Sequence, residues 1–217
     1  MNFHKLCVAI LLISASLMSP VKAATQAQKD IMEAAASACE DMVDVVAADG
    51  MAAAQRKLVD LKVALKKAHG FLKADVAAQL DLRAEAMAAL AQGPSKTALS
   101  LAAIETFKDI VNVSDWHNAK IPKDVAMLDY TGFKLSILAS DANPDWAAAA
   151  KTAEEAHVVW DRLVPKFKDE DLVDLAHVLD AGALDAVKRH DAAGVLFASK
   201  LQLVSIDLVE TSFLNAK

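Results

Sequence analysis

Residues 31–48, IMEAAASACEDMVDVVAA, decide the fold of this 217-residue chain. At 3.6 residues per turn, Ile31, Ala35, Met42 and Val46 lie on one stripe, and no glycine or proline interrupts the run. Alanine fills much of the remainder, and it has the highest helix propensity of all residues. The stretch therefore predicts an amphipathic helix whose small side chains let it pack closely on its neighbours.

The composition of the whole chain agrees with this local pattern. Alanine makes up about a fifth of the residues, 55% of the chain is apolar, 5% is aromatic and only six residues are glycine. Valine and isoleucine are scattered, and turn dipeptides are too few for a sandwich or barrel, which excludes an all-β fold. Charged residues at 24% exclude a disordered or fibrous chain. The sequence predicts an all-α fold.

Glycine, proline and aspartate breaks divide the chain into eight helix-length pieces. Asp49, Asn143 and Asp191 are suited to N-cap positions, and Pro144 fits a first helical turn. Pro165 ends or kinks the sixth helix, because it has no N–H for the helical ladder. We expect helices at 28–48, 51–68, 74–92, 95–113, 123–140, 144–164, 169–189 and 192–214.

The two halves of the chain resemble each other when one is shifted by about 92 to 99 residues, which indicates an internal repeat. We expect two similar antiparallel four-helix units, 24–115 and 123–217, joined by a linker at 116–122. Two unrelated four-helix units are the alternative, and the sequence leaves open whether the units share one core. The third helix matches the seventh through Val76, Leu82, Met87 and Leu90 against Val173, Leu179, Leu184 and Val187.

Residues 1–23 have the pattern of a secretory signal peptide. Lys5 and Lys22 flank the apolar run LCVAILLISASLM, and Val21-Lys22-Ala23 offers small residues where signal peptidase requires them. The run is well short of the roughly 20 residues that span a bilayer. We expect a periplasmic or secreted, soluble mature chain without a membrane span; a retained anchor is the alternative.

Removal of residues 1–23 leaves 21 basic against 29 acidic side chains, a net charge near −8. This acidic balance disfavours nucleic acid and anionic lipid as partners. Cys39 is then the only cysteine, so an intramolecular disulfide cannot form in the mature chain. It falls on the stripe of the first helix, where a free cysteine usually acts as a small hydrophobe.

The last helix, 195–209, reads VLFASKLQLVSIDLV and is apolar on nearly every side. Such a helix is either central to a bundle or covered by a partner. We expect the central position, because a chain of two bundles needs an element shared between its halves.

Two opposite charges interrupt the apolar stripes of matching helices. Arg83 lies between Leu82 and Met87 on the third helix, and Asp180 occupies the same repeat position on the seventh. A buried unpaired charge costs several kcal/mol, so both side chains need partners. The functional interpretation is a polar pocket at the repeat interface, and the structural interpretation is an ion pair or two snorkelling side chains.

One pair of sequence motifs is typical of a metal site, which is an alternative to the polar pocket. Glu154 with His157 and Asp174 with His177 have the i, i+3 spacing of bundle metal sites. The stripe Ala149, Ala153, Ala156, Trp160 and Leu163 places Glu154 toward solvent, and Asp129 and Glu210, the nearest further carboxylates, are not clearly inward. Boundary histidines beside solvated acids are therefore the favoured interpretation.

Non-covalent haem is the other cofactor alternative. Axial ligands could come from Met32, near the start of the first helix, and His117, just after the fourth, while covalent haem is excluded because no C-x-x-C-H motif is present. No nucleophile motif or phosphate loop is present either. The sequence favours a non-enzymatic protein that acts by binding a protein or a small ligand, and the alternative is a carrier of a transition metal or haem, or an enzyme, on the same bundle.

Overall fold

The computed structural model describes residues 23–215, and this range contains eight α-helices and no strand. The all-α fold is therefore confirmed. The proposed signal peptide lies, apart from Ala23, outside the described residues. The helices are α1 Gln26–Ala48, α2 Met51–Ala68, α3 Ala74–Leu90, α4 Lys96–Val113, α5 Lys123–Ser140, α6 Trp146–Leu163, α7 Glu170–Lys188 and α8 Ala192–Leu214.

Side-chain caps fix several helix starts. Thr25 and Gln28 form a capping box at α1, in which each side chain accepts a hydrogen bond from the other residue's backbone N–H. Asp191 caps α8 as expected, since its Oδ1 accepts from the N–H of Gly194 at 2.9 Å. Pro165 lies in a single 3-10 turn directly after α6, so it ends that helix.

Two of the expected N-caps are wrong. Asp49 is the C-cap of α1, and the N-cap of α2 is Gly50, whose φ of 81° is a conformation that favours glycine. Helix α6 begins after Asp145 rather than after Asn143, because the Asp145 side chain accepts a hydrogen bond from the N–H of Ala148. In both places a better cap lies one or two residues further along the chain.

Each half of the chain forms a closed ring of four helices. In the first half α1 packs on α2 and α4, and α3 packs on α2 and α4; in the second half α5 packs on α6 and α8, and α7 packs on α6 and α8. The main contact between the halves is α4 against α5. The internal repeat and the boundaries at 116–122 stay predictions, because a shared order of contacts does not show that the two sequences are related.

One hydrophobic core runs through both halves. Buried Met42 and Ile104 of the first half belong to the same contiguous cluster as Leu128, Trp160 and Leu163 of the second half. A smaller cluster, formed by the other ends of the helices of the second half, extends beyond it. Burial of these apolar side chains is the main driving force for folding of such a bundle.

A polar network crosses the junction between the halves. Tyr130 of α5, only 1% exposed, donates a hydrogen bond through its hydroxyl to Glu105 of α4 at 3.0 Å. Lys134 donates to both of these side chains, and Lys108, which pairs with Glu155, lies over the Tyr130 ring at 4.4 Å. The network therefore ties α4, α5 and α6 together.

Helix α8 is not central, contrary to the expectation from its sequence. It packs tightly on α5, where a Cβ added at Gly132 would lie 3.0 Å from the Leu203 side chain. Its opposite side carries Phe197 and Val204, which are 70% and 73% exposed. By length and composition α8 is the one described helix that could cross a membrane, but core helices of soluble proteins also meet these criteria.

Candidate functional site

A groove between the two halves is the candidate functional site. Its volume is about 1050 Å³, at the upper limit of the roughly 300–1,000 Å³ that is typical of small-molecule sites. Helix α1 forms one side, α5 and the end of α8 form another, and the end of α4, the linker and the α2–α3 loop close it. Its apolar walls include Met32, Phe71, Phe107, Val111, Trp116 and Ile121.

Hydrogen bonds from Ala24 and Lys29 to residues 115–117 shape one end of this groove. Asp115 accepts from the backbone N of Ala24 at 2.7 Å, and Lys29 donates through Nζ to the backbone carbonyl of His117 at 3.0 Å. Trp116 donates through Nε1 to the carbonyl of Val111, which holds its ring against the wall. The linker is therefore a folded part of the groove rather than a free connection.

Five carboxyl groups line the groove, four of them on helices, and Lys29, Lys73 and Lys120 line it as well. We call Glu40 of α1, Asp129 of α5 and Glu210 of α8 the acidic cluster. Within the described residues, none of the three forms an ion pair or side-chain hydrogen bond. Helical periodicity explains the position of Glu40, because it follows Met32, Glu33, Ala36 and Ser37 on one face of α1.

Burial and mutual repulsion raise the pKa of each carboxyl group in this cluster. Burial, followed by the charges of Glu40, Glu210 and Asp207, raises the pKa of Asp129 to about 8. Burial and the charges of Asp41, Asp44 and Glu210 raise the pKa of Glu40 to about 7. The pKa of Glu210 is also raised, chiefly by burial. A cation in the groove would replace the missing positive partners and displace these protons.

The predicted pair between Arg83 and Asp180 is wrong. Arg83 is exposed and pairs with Asp109 of α4 at 2.9 Å, whereas Asp180 pairs with His157 of α6 at 2.7 Å. The buried face of α3 is Ala77, Leu80, Ala84 and Met87, and Leu82 is 72% exposed. Leu82 is apolar but is not a core residue, and alanines form half of the buried face, so the sequence pattern places Arg83 on the wrong side of the helix.

The four residues of the metal alternative are not gathered into one site. Glu154, Asp174 and His177 are exposed, and only His157 is partly buried. The hydrogen bond of His157 Nδ1 with Asp180, and the charge of Asp180, raise the pKa of His157. Across residues 23–215, no group of three or more His, Cys, Asp or Glu side chains could hold a metal ion.

The residues of the haem alternative differ in their surroundings. Met32 is buried at 4% exposure and lines the groove, while His117 is exposed in the linker. Their ligation of haem stays an untested prediction. Cys39 is fully buried, and burial raises the pKa of its thiol, which makes the thiol unreactive.

Sequence reasoning missed the acidic cluster, although it considered two members. Asp129 and Glu210 were examined as ligands pointing into the second bundle, but both face the groove between the halves. Glu40 follows the stripe residue Cys39 directly, so its place at the edge of the apolar face of α1 was a usable signal. The sequence could not show that the sides of α1, α5 and α8 that carry these carboxyl groups face the same groove.

Over residues 23–215, the fold is all-α with eight helices, and it forms an apolar-walled groove that contains the acidic cluster. Comparisons of the chain with protein-family models, curated proteins and solved structures find no match. Any functional conclusion therefore depends on the chemistry of the groove itself.

Proposed function

We propose that this chain is a non-enzymatic binding protein that works after export, and that its groove takes a small ligand with an apolar body and a cationic end. The observation that carries this proposal is an apolar-walled groove of about 1050 Å³ whose acidic cluster forms no ion pair with the lysines of the lining or with any other described residue. Apolar walls with a few convergent polar groups are typical of small-molecule sites. An amine or quaternary ammonium group would supply the charge that the acidic cluster lacks.

The pKa values of the cluster do not show the division of roles that a catalytic pair of carboxyl groups usually has. A pair of catalytic carboxyl groups usually has pKa values pushed apart, so that one is the acid and the other the base. Here the pKa values of Glu40, Asp129 and Glu210 are all raised, and no neighbour holds one of them ionised. Such a cluster is suited to exchange its protons for a ligand cation.

Calorimetry with n-nonylamine tests the proposal, with nonanoate as a ligand of the same length and opposite charge. We expect the amine to bind with release of protons, and to bind more tightly as the pH rises from 6 to 9, because the cluster then ionises without cost. Asp129→Asn and Glu40→Gln should each weaken amine binding by on the order of tenfold. Asp174→Asn, an exposed carboxylate of α7 outside the groove, is the matched control.

Equal binding of the amine and nonanoate would overturn the assignment of a cationic ligand. Unchanged amine affinity in both cluster variants would show that the groove is not the site. Stoichiometric metal, or a Soret band in an absorption scan from about 350 to 600 nm of protein purified from its own periplasm, would instead favour the cofactor carrier.

The proposed export has support at the expected cleavage point. Cleavage after Ala23 would turn the nitrogen of Ala24 into an ammonium group, and that nitrogen already lies 2.7 Å from a carboxylate oxygen of Asp115. The mature amino terminus would then be held at one end of the groove by an ion pair. Amino-terminal sequencing of the periplasmic protein should begin at Ala24 or Thr25; a membrane-bound product that begins at Met1 would contradict this.

A further inference from the structure

The outer face of α8 carries an exposed apolar stripe that the rest of the described chain leaves uncovered. We call Phe197, Leu201, Val204 and Leu208 the α8 stripe; they are 70%, 37%, 73% and 60% exposed. Their spacing of four, three and four residues is the spacing of the seam in a two-stranded coiled coil. Single exposed apolar residues are common, but a row of four on one helix face marks an interaction surface.

Contacts on the opposite face of α8 hold the helix in the orientation that points the stripe away from the bundle. Gln202 is 2% exposed and donates through Nε2 to the carbonyl of Leu128 at 2.7 Å and to Thr131 Oγ1 at 3.1 Å. Ser199 and Ser205 are buried on the same side. Rotation of α8 to bury the stripe would break these hydrogen bonds and expose Val195 and Ile206, so the stripe stays on the outer surface of the chain.

Two unpaired charges beside the stripe indicate what covers it. Lys200 and Asp207 are exposed, opposite in sign and seven residues apart, so they lie along the same edge of the stripe. Neither forms an ion pair with another described residue. Charges at this edge of a coiled-coil seam select the partner and its orientation.

We propose that the α8 stripe pairs with the same stripe of a second copy of this chain, in antiparallel orientation. When Leu201 packs on Val204 of the second copy, Phe197 packs on Leu208 of the second copy, and the reverse contacts follow from the twofold axis. Lys200 then lies opposite Asp207 of the second copy, and this ion pair forms twice. A parallel pairing brings neither charge opposite the other, so the pattern selects the antiparallel dimer.

Sedimentation equilibrium of the full exported chain tests this surface without any ligand in the groove. The protein should dimerise reversibly in the micromolar range, and Val204→Gln should weaken the dimer at least tenfold. Val63→Gln, half-exposed on α2, is the matched control and should leave the dimer unchanged. Far-ultraviolet circular dichroism of each variant establishes that the exposed substitutions leave the helices intact.

Charge exchange tests the orientation. Lys200→Asp and Asp207→Lys should each weaken the dimer by on the order of tenfold, because each single change places two like charges opposite each other. The double variant should restore the affinity. A monomer at all concentrations, or single charge variants that dimerise like the parent protein, would overturn the proposal. Monomeric protein that binds phosphatidylcholine vesicles through Val204 would assign the stripe to a membrane surface instead.

Discussion

Asp129 is a carboxyl group whose surroundings favour its protonated form. Its pKa is raised to about 8 by burial and by the charges of Glu40, Glu210 and Asp207, whereas an unfolded chain returns it to near 4. Its contribution to stability is therefore complete below about pH 4 and is lost as the pH rises to about 8. We expect Asp129→Asn to stabilise the protein by on the order of 2 kcal/mol at pH 9 and to change little at pH 4.

Urea unfolding at pH 4, 7 and 9 measures this effect, and Asp174→Asn serves as the control for loss of an exposed carboxylate. The stability of the parent protein should fall with rising pH more steeply than that of Asp129→Asn. Parallel pH profiles for the two proteins would show that solvent reaches Asp129 freely.

Replacement of glycine by alanine should have opposite effects on stability at two helical positions. A Cβ added at Gly182, exposed in α7, meets nothing within 4 Å, so Gly182→Ala should stabilise by about 0.5 to 1 kcal/mol through reduced backbone freedom in the unfolded chain. At Gly132 the new Cβ would lie 3.0 Å from Leu203, so Gly132→Ala should destabilise by about 1 kcal/mol. Thermal or urea unfolding measures the stability of both variants. If Gly132→Ala also stabilises the protein, α5 and α8 can move apart at little energetic cost.

At the scale of elements, the sequence located the helices well but not all of their faces. Helices α2, α5 and α8 begin and end at the predicted residues. Glycine, proline or aspartate interrupts the chain near each of these ends except the end of α8. The buried face of α3 was misplaced, since alanine on several sides leaves the apolar stripe poorly defined. Apolar character all around α8 likewise concealed that only one side of it packs on the bundle.

Arg83 and Asp180 belong to two separate ion pairs, so we expect no energetic coupling between these two residues. Because Arg83 binds Asp109 and Asp180 binds His157, Arg83→Leu and Asp180→Leu should be additive to within about 0.5 kcal/mol. Arg83→Leu combined with Asp109→Leu should instead cost less than the sum of the single changes. Double-mutant cycles by urea unfolding measure both couplings. Strong coupling between Arg83 and Asp180 would contradict the separate pairs.

At the scale of the whole molecule, the groove could not be derived from the sequence. Its acidic cluster combines α1 with α5 and α8, so it exists only because of how the two halves sit against each other. That placement depends on the α4–α5 contact and on Tyr130, whose partner Glu105 is 25 positions away in the chain. Periodicity along one helix carries no information about such contacts between distant segments.

The shared core predicts that the halves unfold together. Met42 of α1 is fully buried in the cluster that also contains Trp160 of α6, so Met42→Ala should cost about 2 to 5 kcal/mol and destabilise the second half as well. A Trp116→Phe background leaves Trp146 and Trp160 as fluorescent reporters, both in the second half. In Met42→Ala, the urea midpoint from tryptophan fluorescence should fall together with the midpoint from circular dichroism. The control Val63→Ala, at a half-exposed position of α2, should change neither midpoint by much. A tryptophan transition that keeps its midpoint in Met42→Ala would mean that the two rings of helices unfold independently despite their common core.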